Sequence, residues 1–132
     1  MIAEIPAKMK DSVKFIESIP FEDLYSVYAF SKCFVYPSKA EGFGIPPIEA
    51  AMLNSKVLCS NQTAMQDFDF FRYTFNPSNQ SVFDEKLNLI LKDENYPYQE
   101  IKDKIVEKYN WNKVAKDFGL VLINNSKKWK LE

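Results

Sequence analysis

Two glutamates and two glycines fall within nine residues of each other, in Glu41-Gly42-Phe43-Gly44-Ile45 and then Glu49. Glycine is scarce in this chain, 3 of 132 residues, where average usage of about 7% predicts roughly nine. Two of those three in one turn point to backbone that takes unusual dihedrals there or lets another molecule approach closely. The turn follows an apolar run and precedes a helical pattern. At that place an α/β sheet binds ligands, because unpaired amides and the helix dipole face an anion, with phosphate or diphosphate the natural guest. If the helix begins near Ile45, Glu49 lies in its second turn and leans back toward the same cleft. Amides for a diphosphate, flanked by carboxylates for sugar and ribose hydroxyls, suit a sugar nucleotide. The plainer alternative is that Glu41 caps a turn, Glu49 decorates a solvated helix face, and the glycines only permit the bend. Spacing alone leaves both open.

The elements that position these residues alternate. Val13-Lys14-Phe15-Ile16 is a strand-like run, and Pro20 opens a helix with Phe21, Leu24, Tyr25, Tyr28 and Ala29 at helical spacing. Cys33-Phe34-Val35-Tyr36 is a second apolar strand, ended by Pro37-Ser38. The glycine-bearing turn then leads into a helix with Pro46 or Pro47 in its first turn and Ile45, Ile48, Ala51 and Met52 on its buried side. Lys56-Val57-Leu58-Cys59 is a third strand. Asn61-Gln62-Thr63 offers a cap for a short helix with Met65 and Phe68, and Tyr73-Thr74-Phe75 is a fourth strand closed by Asn76-Pro77. Such alternation predicts an α/β fold, a partial Rossmann-like parallel sheet of about four strands with helices on both faces. Beyond residue 80 only helical stripes remain: Phe83, Leu87, Ile90 and Leu91; then Ile101, Ile105 and Val106; then Trp111, Val114, Ala115, Phe118 and Leu122. One domain over 1–132 is expected, its sheet part about 13–77 and its helical part about 80–126.

Composition narrows the chemistry. The 132 residues are 46% hydrophobic and 27% charged, enough for a core without disulfide or metal staples. A net charge of -1 argues against a dedicated nucleic-acid or anionic-membrane surface. With no histidine, imidazole bases, Ser-His-Asp and Cys-His schemes, and His-containing metal sites are excluded within the chain. Cys33 and Cys59 each sit in an apolar strand run and read as reduced core thiols of a cytoplasmic protein. No apolar run reaches the ~18 residues of a membrane span. Lys127-Lys128-Trp129-Lys130 invites a peripheral membrane reading, for which a polar helix end is the commoner explanation.

The string Tyr36-Pro37-Ser38-Lys39-Ala40-Glu41-Gly42-Phe43-Gly44-Ile45-Pro46-Pro47-Ile48-Glu49-Ala50 resembles the signature of the GT-B retaining glycosyltransferases of the family 4 type, with its Pro-Ser, Glu-Gly-Phe-Gly, Pro and Glu-Ala elements. The similarity extends over roughly 13–125, through Pro20 to Ser31, Lys56 to Asn61, Tyr73 to Pro77 and Tyr109-Asn110-Trp111. The resemblance implies a catalytic Glu41 contacting the donor sugar near the reacting carbon. Gly42, Phe43 and Gly44 would present amides to sugar and diphosphate, Ile45 would pack by the phosphate turn, and Glu49 would hold the ribose hydroxyls. It implies transfer of a hexose from a nucleotide-diphosphate sugar, with retention, to a glycan or lipid acceptor, with no cofactor and no required metal. Asp67-Phe68-Asp69 has the letters of a metal motif but reads as a solvated acidic patch.

The departures carry their own expectations. The family's first domain and the opening strands of its donor domain have no counterpart in the sequence. Arg72 is the sole arginine and falls after the motif, so the family's basic diphosphate contacts transfer to no position; Lys39 reads as an exposed lysine. Gln66-Asp67-Phe68 stands where the family has an acidic Glu-Val turn. The leading expectation is a donor-binding portion of a glycosyltransferase, inactive alone. The alternative is a non-catalytic nucleotide-sugar-binding or subunit-completing module, its exposed sheet edge covered in a homodimer or by a partner chain. A hydrolase using Glu41 and Glu49 as acid and base is the weakest class, since an eight-residue separation does not itself bring two carboxylates to working distance.

Overall fold

The computed structural model describes residues 6–126. Helix α1 (Phe21–Phe30), strand β1 (Phe34–Tyr36), helix α2 (Ile45–Met52), strand β2 (Val57–Ser60) and strand β3 (Tyr73–Phe75) follow in chain order. Helices α3 (Gln80–Lys92), α4 (Tyr98–Lys108) and α5 (Trp111–Ser126) complete the chain. The sheet is parallel, in the order β1-β2-β3, with Phe34 opposite Val57 and Leu58 opposite Tyr73. Helix α2 packs on β1 and β2 with α1 and α4 against it, and α3 packs on β3 and β2. The class is α/β, as the alternation predicts.

Among the described residues the sheet has three strands rather than about four. Residues Val13 to Ile16 are exposed, form no ladder and pair with no strand among the described residues. A strand pattern is local, whereas a strand needs a neighbour.

The core is centred on β2, whose four residues are all buried: β1 and β3 pair with its edges, and α2 and α3 pack on the sheet there. Buried Ala50 and Ala51 bring α2 close to the sheet. This reverses part of the expected helix face: Pro47, Ala50 and Ala51 are inward, while Ile45 is 55% exposed and Met52 also faces solvent. The alanines are what a close helix-to-sheet approach can accommodate, and Ile45 is left at the helix tip. The helical stripes are likewise only partly inward: Tyr28 on α1, Ile90 on α3, and Ile101 and Ile105 on α4 are buried, while Phe21, Leu91, Val106, Trp111 and Phe118 are exposed.

Long-range polar ties set the strands in place. The Tyr96 hydroxyl accepts the Val57 amide at 3.1 Å from within the core. Lys56 donates to the carbonyls of Ile90 (3.0 Å) and Asp93 (2.6 Å), bringing a cation to the carboxyl end of α3 where the dipole favours it. Both cysteines are free; burial pushes the Cys33 thiol up to about 11 and the Cys59 thiol up to about 12, so neither is a thiolate at neutral pH. Among the described residues no helix is long and apolar enough to cross a membrane. Lys127-Lys128-Trp129-Lys130 lies outside the described residues.

Candidate functional site

The glycine-bearing turn lies between the carboxyl end of β1 and the first turn of α2. Its two glycines have different jobs. Gly44 caps α2 in the left-handed region, at φ 87° and ψ 50°, and a Cβ there would stand 2.9 Å from Met65 Cγ and 3.2 Å from Phe68 Cε2. A left-handed backbone and a packed neighbour both require glycine at 44. Gly42 has no positive φ, and a Cβ on it would meet nothing within 4 Å. The fold alone leaves room for a side chain there.

Pro46 and Pro47 occupy the first turn of α2 and carry no N–H. The donors left at this helix start are those of the turn itself. Among the described residues, the amides of Gly42, Phe43, Gly44 and Ile45 donate to no protein acceptor. Four successive amides without a protein acceptor stand at the positive end of a helix dipole, an arrangement suited to an anion.

Each flanking carboxylate is met by a tyrosine from an earlier element. Tyr36, the last residue of β1, donates to Glu41 Oε1 at 2.6 Å, and Tyr28 of α1 donates to Glu49 Oε2 at 3.5 Å, a long contact. The Tyr36 hydroxyl, with that of Ser38 adding to it, holds the Glu41 carboxyl below the ordinary carboxylate range. The same bond, with burial, pushes Tyr36 up to about 12. Burial first, then Glu49, raises Tyr28. Phe34 lies between the two tyrosine rings, edge-on to Tyr28 at 5.1 Å and stacked with Tyr36 at 5.9 Å. From the loop after β2, Thr63 Oγ1 accepts the Glu41 amide at 3.0 Å.

The structure thus brings Glu41, Gly42, Phe43, Gly44, Ile45 and Glu49 together at one edge of the sheet. Phe43 rests edge-on against Phe68 and Tyr109. Together with Ile45, Ile48, Tyr109, Trp111 and Val114 it lines an apolar groove of about 570 Å³. Lys39 is exposed. Asp67 and Asp69 are also exposed, at the end of a 3-10 turn (Thr63–Asp67) that has no side-chain cap, instead of the capped helix the sequence predicts. Lys108 binds both the Asp67 carbonyl and Asp69 Oδ1, the latter at 3.0 Å. Sequence reasoning missed the partnership of Tyr28, Tyr36 and Thr63 with the glutamates. The one available signal was a hydroxyl-bearing ring at the end of an otherwise apolar strand, directly before the motif.

A parallel sheet with helices packed on it, and a turn of unbonded amides at the carboxyl end of β1, places the chain among α/β proteins whose ligands bind beyond the strand ends. Its kind follows from comparison with known proteins: the profile of the family "Glycosyl transferases group 1" matches residues 6–108. The chain belongs to that family, and its match falls in the C-terminal half of a GT-B fold of the family 4 type. It is 42% identical over 57 residues to the O-antigen chain mannosyltransferase RfbU of Salmonella typhimurium, covering 43% of this chain and 16% of that protein. It is 30% identical over 118 residues to the serotype-specific mannosyltransferase WbdA of Escherichia coli, covering 86% of this chain and 14% of that one. It is also similar to putative glycosyltransferase 41 of Sulfolobus islandicus filamentous virus, 62% identical over 32 residues, 24% of this chain and 10% of the viral protein. The chain therefore spans less than a fifth of the length of these curated relatives. No solved structure matches it significantly.

Proposed function

We propose that the chain binds a nucleotide-diphosphate sugar at the turn from Glu41 to Glu49 and serves as the donor-binding portion of a retaining hexosyltransferase. Mannose is the sugar that the names of the relatives suggest. The observation that carries the reading is the run of four unbonded amides from Gly42 to Ile45, set between two carboxylates. In this reading the amides take the diphosphate, Glu41 accepts hydroxyls of the sugar beside its reacting carbon, and Glu49 accepts those of the ribose. Charge leaving with the nucleotide is stabilised by fixed dipoles of the turn rather than by a histidine, of which the chain has none.

Transfer also requires an acceptor, a glycan or a lipid, held against the donor with water shut out. Exposed Phe15, Phe21 and Phe30, with β1 at an edge of the sheet, favour a covering partner, a second copy or a further folded part. The chain by itself then binds donor without turning it over.

Calorimetric titration of the full chain with GDP, UDP, ADP, GDP-mannose and UDP-glucose tests the reading. Saturable binding of at least one nucleotide sugar is expected, lost in Glu49→Ala and in Gly42→Val while the melting temperature stays unchanged. Absence of binding by all five at millimolar concentration would refute it.

A further inference from the structure

Glu41 is held at two points by residues from two different strand ends. The first is its carboxylate, through the 2.6 Å bond from Tyr36 at the end of β1. The second is its backbone amide, which donates to Thr63 Oγ1 at 3.0 Å in the loop after β2. Thr63 is an outlier: it sits at φ 51°, in the left-handed region, where a β-branched residue is strained. Such strain persists only where surrounding contacts impose it, and here the strained residue's one side-chain hydrogen bond among the described residues goes to Glu41. A carboxylate has about four acceptor sites. The bond to Tyr36 therefore fixes its direction and still leaves sites for the hydroxyls of a sugar.

From this geometry we propose that Tyr36 and Thr63 are positioning residues, fixing the carboxylate and the backbone of Glu41 so that it meets the donor sugar in one orientation. The inference rests on the donor-binding reading above. Tyr36 acts on the sugar end of the donor and leaves the diphosphate to the amides of the turn, so its removal separates the two parts of the ligand. The Tyr36 ring is itself seated on Phe34, which packs edge-on against Tyr28.

The test compares a nucleotide sugar with its bare nucleotide, using GDP-mannose against GDP and UDP-glucose against UDP on the full chain. Tyr36→Phe is expected to weaken the bound nucleotide sugar about tenfold and to change the matching nucleotide by less than about twofold. Carboxyl NMR of Glu41 should show its titration moving upward in the same variant. Thr63→Val should weaken the nucleotide sugar in the same selective way, whereas Thr63→Ser, which keeps the hydroxyl, should restore it. If the wild type binds a pair and both Tyr36→Phe and Thr63→Val bind the nucleotide sugar as tightly, the positioning role is overturned and the donor site stands. Equal losses for nucleotide and nucleotide sugar overturn it too, because the turn itself would then have been disturbed. A wild type that binds none of the four probes overturns the donor reading and this inference with it.

Discussion

Around β2 every side chain is enclosed: Val57, Leu58, Cys59 and Ser60 are buried, and Met65, Phe75 and Ile90 close over them. On the flanks, Phe30 of α1 is 88% exposed and Trp111 of α5 is 82% exposed, with Phe15, Phe21 and Phe118 also open to solvent. One chain therefore contains a finished centre and two unfinished sides. The centre explains how 132 residues hold the turn in place. The flanks show apolar surface of the kind that protein interfaces cover.

Substitution should reveal that contrast as a difference in stability. Leu58→Ala removes a fully buried side chain from the middle strand and is expected to lower stability by about 2–5 kcal/mol. Phe30→Ala removes a larger side chain from α1 and should leave stability within about 0.5 kcal/mol, while reducing any self-association. Urea denaturation of both variants checks this. Equal losses would mean that α1 is packed in solution by something, and the flank would no longer count as open.

The next largest effect separates the two glycines of the turn. Gly44→Val adds a β-branched side chain at φ 87°, against Met65 and Phe68, and should destabilise by about 2–4 kcal/mol. Gly42→Val enters open space and should leave the melting temperature unchanged. If only the second variant loses donor binding at full stability, Gly44 serves the fold and Gly42 serves the ligand.

Much of this was legible in the chain of letters, and the failures share a cause. The runs read at 33–36, 56–59 and 73–75 hold the strands Phe34–Tyr36, Val57–Ser60 and Tyr73–Phe75, because short runs of β-favouring, mostly apolar residues flanked by breakers suit a parallel sheet. The start of α2 at Ile45 followed from prolines that only a first turn accepts. The same kind of pattern misled at Val13–Ile16, since pairing depends on which strands stand alongside, and local sequence does not contain that. It misled again at Ile45 and Met52, whose direction is set by where the sheet lies relative to Ala50 and Ala51. The site residues were found as a string, but the Tyr28–Glu49 contact joins residues 21 apart and the Glu41–Thr63 contact residues 22 apart. Only the folded chain displays them. The partners of a motif are harder to read than the motif because its backbone requirements are local and theirs are not.

A smaller effect comes from the polar tie inside the filled centre. Tyr96→Phe keeps the ring but deprives the buried Val57 amide of its acceptor, and should cost about 1–3 kcal/mol. Amide exchange at Val57 should quicken more than at Leu58, which shares the strand but not the tyrosine. Uniform quickening along β2 would show that the bond stabilises the whole strand rather than the Val57 amide in particular.

The smallest effect lies at the solvent-facing border of that centre, where Lys108 at the end of α4 reaches Asp69 in the loop beneath the Phe68-Phe70-Phe71 cluster. The hydrogen bond and charge of Lys108 hold the Asp69 carboxyl below its ordinary range. A carboxyl lowered in the folded state stabilises it above the unfolded value, and that contribution is lost as pH falls through the folded value. The Asp69 side chain is 82% exposed, so solvent screening keeps the contribution small. Wild type should therefore melt slightly above Asp69→Asn at neutral pH, the gap closing as pH falls below the ordinary aspartate range and shrinking in high salt. A gap that persists in acid would show that Asp69 acts through something other than its charge, since the bond from Lys108 to the Asp67 carbonyl is kept in both proteins.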